Sequence, residues 1–180
     1  MKTLPTVDQL NFGLLLLRLV VGPVFAFHGF AKITRGGRLS GTAGWFDSMG
    51  MRPGHVHARL AAFGELATGV CLTLGLLTSF AGLGLVALMS VAVWTVHRGN
   101  GLLVFQNGWE YNLVLGAIGV ALATIGPGEW SLDDAFGIDL NGPAGFLIAL
   151  VGGVAAAALL LGTSYRPPAP EPEAQAAAEG

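Results

Sequence analysis

Long apolar runs dominate this sequence and decide the solvent in which the chain can fold. Crossing a bilayer core of about 30 Å takes about 20 mostly apolar residues. Runs of about this length lie at residues 12–33, 58–77, 80–97 and 144–162, and a shorter run at 111–125 follows the apolar residues 102–105. We expect each run to form a transmembrane helix. The sequence therefore predicts an all-α, polytopic membrane helical bundle in contact with the lipid bilayer.

The composition supports lipid as the solvent and excludes two classes of function. Only 11% of the residues are charged, whereas soluble domains carry about 25%. A net charge of −2 leaves no basic surface for a nucleic-acid backbone, so we predict no nucleic-acid partner. Because Cys71 is the single cysteine, the chain forms neither an internal disulfide nor a CxxC redox pair.

The remaining segments predict the domain organisation. We expect an N-terminal lead at residues 1–11, a membrane domain at 12–135, an additional transmembrane helix at 144–162 and a disordered, proline-rich tail at 166–180. The first run is long enough to span, so we interpret it as a retained helix and not as a signal peptide. The segment 34–57 is expected to be a loop with a short interfacial stretch, in which His55 and His57 are solvated.

The distribution of charge predicts the orientation of the chain. The loop after the first run and the other positions on its side carry the basic residues Lys32, Arg35, Arg38, Arg52, Arg59, Arg98 and Arg166. The opposite side carries Lys2 and the acidic residues Glu129, Asp133, Asp134 and Asp139. By the positive-inside rule the N-terminus lies outside and the C-terminus in the cytoplasm. If the fifth run does not span, the C-terminus lies outside.

Ionisable residues at membrane depth are costly, so each one is a candidate functional residue. Arg18, His28 and Lys32 recur at helical spacing and share one face of the first helix. Because alternate helices reverse direction, further polar residues lie level with the end of that helix. The candidate polar cluster is Arg18, His28, Lys32, Glu65, His97, Glu110 and Tyr111.

The residues leave several roles open for this cluster. Arg18 either reaches the outer headgroups or pairs with Glu65 inside the bundle. His28 and His97 lie on helices that run in the same direction, where they could ligate a haem, bracket a quinone ring or exchange protons. They could also be ordinary hydrogen-bonded histidines. We predict no separate metal site and leave the cofactor open, with a quinone favoured over haem.

Several motifs resemble the DoxX family of small integral membrane proteins. They are the first-helix residues Arg18, Gly22, Phe25, His28, Gly29 and Lys32, then Glu65 with Gly69, residues 75–78, Met89, His97, residues 108–111 and residues 126–133. The resemblance covers residues 10–135 and implies a four-helix bundle, to which the fifth run is an addition. It also implies a bacterial inner-membrane location. One relative that gives the family its name is a small subunit of thiosulfate:quinone oxidoreductase, and others are associated with methylamine utilisation and with oxidative-stress or thiol-redox complexes.

We therefore carry two hypotheses for the function. In the first, the chain is a membrane subunit of a redox or oxidative-stress complex whose polar cluster binds a quinone or exchanges protons. In the second, it is a non-catalytic membrane scaffold or assembly factor. The resemblance implies protein partners in a membrane complex. The lack of paired cysteines argues against the hypothesis that the chain is a thiol oxidoreductase. A transporter would need broken helices near the bilayer centre, and Pro23 alone is too little to predict one.

Overall fold

The structure, a computed structural model, describes residues 4–167. Its helices are α1 (Val7–Thr34), α2 (Arg38–Ser48), α3 (Gly54–Leu74), α4 (Thr78–Ala92), α5 (Glu110–Ile125), α6 (Leu132–Phe136), α7 (Gly142–Phe146) and α8 (Gly153–Ser164). Two π-helical segments, Val93–His97 and Leu147–Gly152, continue α4 and join α7 to α8. The predicted all-α class is confirmed. The predicted tail lies almost entirely outside the described residues, as does Lys2.

The long helices have the size and composition of membrane spans. The continuous helical stretches Val7–Thr34, Thr78–Asn100 and Gly142–Ser164 are each long and apolar enough to cross a bilayer, and α5 is a shorter apolar helix. α3 has 21 residues and carries more polar side chains. Large apolar residues such as Leu16 and Leu159 point outward and are more than half exposed. Outward-facing apolar side chains are stable in lipid, and the chain is an integral membrane protein.

α1 and α3 pack with their backbones in close contact because glycines face each other. A Cβ atom at Gly22 would lie 2.7 Å from the carbonyl oxygen of Gly69. Further along, a Cβ at Gly29 would lie 2.5 Å from the backbone nitrogen of Leu66. Small residues are what allows membrane helices to approach this closely. The two helices therefore form one rigid antiparallel pair.

The other helices enclose a common core with this pair. The buried core residues are Leu14, Val21 and Phe25 on α1, Leu72 on α3, Ala81 and Leu85 on α4, and Leu115 and Leu122 on α5. α4 packs on both α3 and α5, and α8 packs on α4. The helix predicted as an addition thus covers the outer face of α4.

The connections divide the bundle into two ends. The α2 end comprises residues 34–57, 98–110 and 164–167, and the α6 end comprises residues 75–77 and 126–141. The chain after α8 returns to the α2 end, where Arg52 N donates to Ser164 O at 3.0 Å and Arg166 N donates to Gly50 O at 2.7 Å. Within the described range, both Thr34 and Arg166 therefore lie at the α2 end, opposite Thr6.

Candidate functional site

A cavity of about 840 Å³ opens at the α2 end of the bundle. Its walls come from α1, α2, α3, α4, α5 and α8. Five members of the candidate polar cluster line it: His28, Lys32, Glu65, His97 and Tyr111. Ligand cavities in proteins typically measure about 300–1,000 Å³, so this one can hold the ring of a small organic molecule together with part of a tail.

An ion pair between α1 and α3 forms one side of the cavity. Lys32 Nζ lies 2.5 Å from Glu65 Oε2, and the two side chains are 22% and 11% exposed. Glu65 faces inward because Gly29, on the turn of α1 beside it, leaves room for its Cβ. Ionisable groups at membrane depth are tolerated when they pair or face a cavity, and this pair does both.

A break in the regular α-helix places His97 in the cavity wall. α4 ends at Ala92 and continues as the π-helical segment Val93–His97. His97 Nδ1 lies 2.7 Å from the carbonyl oxygen of Asn107, which precedes α5. Single π-helical turns occur often at functional sites because the extra residue redirects the following side chain. Here the hydrogen bond of His97 connects the end of this π-helical segment to the loop before α5.

His57 corrects an expectation from the sequence, because it is buried and not solvated. Only 4% of the residue is exposed, and it lines the cavity. Its Nε2 atom lies 3.3 Å from the carbonyl oxygen of Arg52. The reason is that α3 begins at Gly54, one turn before the predicted start at residue 58. The extra turn brings His57 onto the inner face of the helix, while His55 stays exposed.

The rest of the wall is largely apolar. Leu88 and Leu115 contribute aliphatic surface, and Met49, Met51 and Met89 contribute flexible thioethers. The buried Asn112 also lines the cavity, and its amide Nδ2 lies 3.4 Å from the sulfur of Met89. The cavity therefore combines an apolar interior with a few polar groups, which is typical of sites for amphipathic ligands.

Arg18 lies away from the cavity, near the α6 end, and does neither of the things expected of it. It is 1% exposed, so it does not reach the headgroups. It does not pair with Glu65 either, because Glu65 pairs with Lys32. Its guanidinium donates to the carbonyl oxygens of Thr73 at 3.2 Å and Trp130 at 2.7 Å. Thr73 lies in the last turn of α3, where carbonyls have no partner within the helix. Arg18 therefore joins α1 to α3 and to the loop before α6.

Glu110 also lies outside the cavity wall, although its neighbour Tyr111 belongs to it. Its Oε2 atom accepts a hydrogen bond from Val104 N at 3.0 Å. The carboxylate thus fixes the 3₁₀ turn Val104–Gln106 against the first turn of α5. This is a local contact at the surface of the α2 end.

Two further polar residues at the α6 end were not among the sequence candidates. Asp133 is 4% exposed and accepts hydrogen bonds from Leu77 N at 2.6 Å and Thr78 N at 2.9 Å. These amides open α4, and a carboxylate there is favourable because the first turn of a helix carries unpaired N–H groups. Asn11 donates to Glu129 Oε2 at 2.9 Å. The sequence around Asn11 gives no indication of a contact with a residue as distant as Glu129.

The residues around the cavity fit a quinone better than a metal ion. Among residues 4–167, no group of three or more His, Cys, Asp and Glu side chains could hold a metal ion. A quinone ring needs hydrogen-bonding groups at its oxygens and apolar surface for its tail. Lys32 and Tyr111 are donors, an uncharged imidazole offers one donor and one acceptor nitrogen, and Leu88 and Leu115 supply apolar surface.

Comparison with known proteins covers part of this site, because Tyr111, Asn112 and Leu115 lie beyond the matched segment. Residues 13–98 match the family model described as DoxX, which includes His28, Lys32, His57, Glu65 and His97. A relative from Haemophilus influenzae, described as an uncharacterized protein, is 35% identical over 81 residues, covering 45% of this chain and 54% of the relative. The chain therefore spans about half the length of the relative it matches. No solved structure matches the chain.

Proposed function

Because the chain belongs to the DoxX family through residues 13–98, we propose that it is a membrane subunit of a redox or oxidative-stress complex whose cavity binds a quinone. The observation that carries this proposal is the cavity at the α2 end, with its charged pair, its histidines and its apolar walls. A bound quinone would accept two electrons from a partner subunit of the complex and one proton at each of its two ring oxygens. The protein supplies the groups around those oxygens.

The polar residues have distinct roles in this proposal. Tyr111 and Lys32 donate hydrogen bonds to ring oxygens, and Glu65 holds the Lys32 ammonium in position. His28 and His97 exchange protons between the cavity and the solvent at the α2 end, where both side chains are partly or fully exposed. Arg18 and Glu110 act as structural contacts, since neither lines the cavity.

The proposed arrangement in the membrane follows from the charge at each end. The arginines at positions 35, 38, 52, 98 and 166 all belong to the α2 end, and the acidic residues at 129, 133, 134 and 139 to the α6 end. We place the α2 end, the cavity and the C-terminus in the cytoplasm, and the N-terminus outside. We further propose that residues 12–135 form a DoxX-like unit to which 144–162 adds a fifth span.

A non-catalytic scaffold is the alternative that one specific observation favours. The Lys32–Glu65 pair joins α1 to α3, and a pair of this kind can serve stability alone. In that case the cavity would be filled by a side chain of a protein partner or by a lipid. Whether the protein binds a quinone distinguishes the redox subunit from the scaffold.

The first experiment examines what the purified protein carries. The absorbance spectrum and the mass spectrum of a lipid extract are measured on protein purified in a mild detergent with its native partners. We expect a quinone in stoichiometric amount. A stoichiometric haem would contradict the quinone site, and protein that carries neither and binds no added quinone would favour the scaffold.

The two tyrosines of the chain offer a matched pair of variants for the second experiment. Tyr111 lines the cavity, whereas Tyr165 follows α8 outside it. Loss of one neutral hydrogen bond costs about 0.5–1.5 kcal/mol. We expect Tyr111→Phe to weaken the binding of a short-chain quinone three- to tenfold, as measured by tryptophan fluorescence quenching. Tyr165→Phe should leave the affinity unchanged, and equal affinities in all three proteins would contradict the role of Tyr111.

A further inference from the structure

The polar and the apolar side chains of the cavity wall come in part from different helices. Both α1 and α5 contribute hydrogen-bonding side chains, namely His28, Lys32, Tyr111 and Asn112. The contribution of α8 is entirely apolar and consists of Ala156, Ala157 and Leu160. An amphipathic ligand places its polar part against the polar wall, because an unpaired polar group in apolar surroundings is costly.

These two walls lie on different sides of the bundle. α1 packs on α3 and α2, whereas α8 packs on α4. α5 packs on another face of α4, since Gly119 of α5 lies against Leu85 and Gly153 of α8 lies against Val86. Successive residues of an α-helix point in directions about 100° apart. The cavity therefore has hydrogen-bonding groups toward α1 and α5 and is apolar toward α8.

The apolar side of the cavity reaches the outside of the bundle between α3 and α8. Leu60 of α3 and Ala156 of α8 both line the cavity and are both exposed, while the next residue of each helix is buried. At about 1.5 Å per residue, Leu60 lies about 9 Å from the start of α3 and Ala156 about 12 Å from the end of α8. The two residues thus lie at similar depth and border what we call the α3–α8 opening, which faces lipid.

Close helix contacts limit the apolar side toward the α6 end. A Cβ atom at Gly153 of α8 would lie 2.7 Å from the Cβ of Val86 on α4. A Cβ atom at Gly84 of α4 would clash with Thr68 of α3. Both α8 and α3 therefore touch α4 beyond the cavity, so a chain inside the cavity turns outward and does not continue along the bundle.

The other borders of the cavity are less suited to a hydrocarbon chain. His28 and Tyr111 are exposed toward α1 and α5, but both carry polar groups that the proposed function uses at the ring. At the α2 end, α2 packs on α3 and α1 and places Trp45 and Phe46 in the wall. A tail that left the cavity there would enter the headgroups and water instead of hydrocarbon.

We infer that the ligand is a membrane-soluble quinone whose ring lies toward α1 and α5 and whose hydrocarbon tail enters the bilayer through the α3–α8 opening. This inference rests on the proposed function and adds to it the class of quinone and the path of its tail. The small side chain of Ala156 sets the width of the opening, which makes it a specificity-determining residue. Because α8 lies outside the matched residues 13–98, this determinant belongs to the additional helix.

Photolabelling tests the path of the tail on the unaltered protein. A quinone with a diazirine partway along a decyl tail is bound in lipid nanodiscs and activated by light, and the labelled peptides are identified by mass spectrometry. A parallel sample contains an excess of the same ring without the tail. We expect labels beside Leu60 and Ala156 that the tailless quinone suppresses.

The labelling results separate this inference from the proposed function. Labels beside His28 or Tyr111 that the tailless quinone suppresses would overturn the path of the tail and leave the quinone site standing. Labels that the tailless quinone does not suppress would overturn both the site and the inference.

A pair of variants on α8 tests the role of Ala156. Ala156→Phe narrows the α3–α8 opening, and Ala158→Phe is the matched control because Ala158 is exposed on the same helix but outside the cavity wall. Affinities for the decyl quinone and for the tailless quinone are measured by tryptophan fluorescence quenching. We expect Ala156→Phe to weaken the binding of the decyl quinone about tenfold or more, because added bulk in a packed site is destabilising.

The tailless quinone should bind Ala156→Phe within about twofold of its affinity for the unaltered protein, and Ala158→Phe should bind both ligands normally. Thermal unfolding verifies that each variant is folded. Equal weakening of both ligands, or no change in either, in folded Ala156→Phe would overturn the role of Ala156 in tail specificity. Absence of binding of both ligands to the unaltered protein would overturn the proposed function together with the inference.

Discussion

The Lys32–Glu65 contact is the only ion pair within 4.0 Å that the structure records among residues 4–167. It lies beside a cavity and also joins two helices, so it serves both proposed functions. Interhelical polar contacts in membrane proteins contribute about 0.6 kcal/mol on average and about 1.7 kcal/mol at most. The pair is therefore strong enough to affect stability but too weak to determine the fold.

Exchange of Glu65 for Gln separates these contributions. Glu65→Gln leaves the half-buried Lys32 ammonium without a counter-charge, and we expect the free energy of unfolding in mixed micelles to fall by about 0.6–1.7 kcal/mol. Asp139→Asn is the control, because that carboxylate is exposed at the other end. A folded Glu65→Gln protein that loses quinone affinity at least tenfold supports the binding site. Unchanged stability and affinity would show that the pair is solvated.

Arg18 provides the opposite case, a buried cation whose contacts are all structural. Its guanidinium reaches two carbonyl oxygens on different segments, and a lysine ammonium has no comparable planar fork. We expect Arg18→Lys to lower the free energy of unfolding by about 1–3 kcal/mol with no change in quinone affinity. A folded Arg18→Lys protein with weakened quinone binding would contradict the placement of Arg18 outside the site.

The sequence could not predict the partners of Arg18 because they depend on distant chain reversals. Helical spacing correctly placed Arg18 on the face that also carries Lys32, but spacing says nothing about the loop that folds back over it. The Trp130 carbonyl is 112 residues away along the chain. By contrast, the depth of Lys32 and Glu65 followed from the alternating direction of consecutive helices, and these two residues do meet.

At the level of helices, the apolar runs were informative and the helix starts less so. α3 begins at Gly54, which follows Pro53. The first turn of α3 contains two histidines and no apolar run, so hydropathy placed the start at residue 58 and left His57 in a loop. Proline directly before a helix is a start signal, and giving it more weight would have brought His57 into the site.

The contact of α1 with α3 depends on glycine at particular turns, which gives a prediction with an internal control. A Cβ at Gly22 would lie 2.7 Å from Gly69 O, whereas a Cβ at Gly116 of α5 would meet nothing within 4 Å. We expect Gly22→Ala to cost about 1–3 kcal/mol, because the helices must separate. Gly116→Ala should be neutral or stabilising by up to about 1 kcal/mol. Equal unfolding free energies for the two variants would contradict the close packing of α1 on α3.

At the scale of the whole molecule, the bundle has two ends of different character. At the α6 end, Arg18, Asn11 and Asp133 join separate segments through hydrogen bonds, although Arg18 Nε and Thr78 Oγ1 are buried there without a partner among residues 4–167. At the α2 end, His28, Lys32 and His97 surround a cavity instead. Polar groups that face a cavity are accessible to a ligand, so the α2 end is suited to binding, whereas the α6 end connects the helices.

The side of the membrane on which the cavity opens determines which proton pool a bound quinone could exchange with. The arginines of the α2 end predict the cytoplasmic side. Single cysteines placed in a Cys71→Ser background test this through labelling by a membrane-impermeant maleimide. The positions are Ser48 at the α2 end and Asp139 at the α6 end, both exposed.

In intact cells we expect the maleimide added outside to label Asp139→Cys. Ser48→Cys should stay unlabelled until the membrane is permeabilised. Arg38 and Arg52 flank Ser48 closely and favour retention of that loop in the cytoplasm, because positive charges near the end of a span resist translocation. The reverse labelling pattern would place the cavity outside. It would also require proton exchange at the outer surface, since His28 and His97 belong to the same end of the bundle as Ser48.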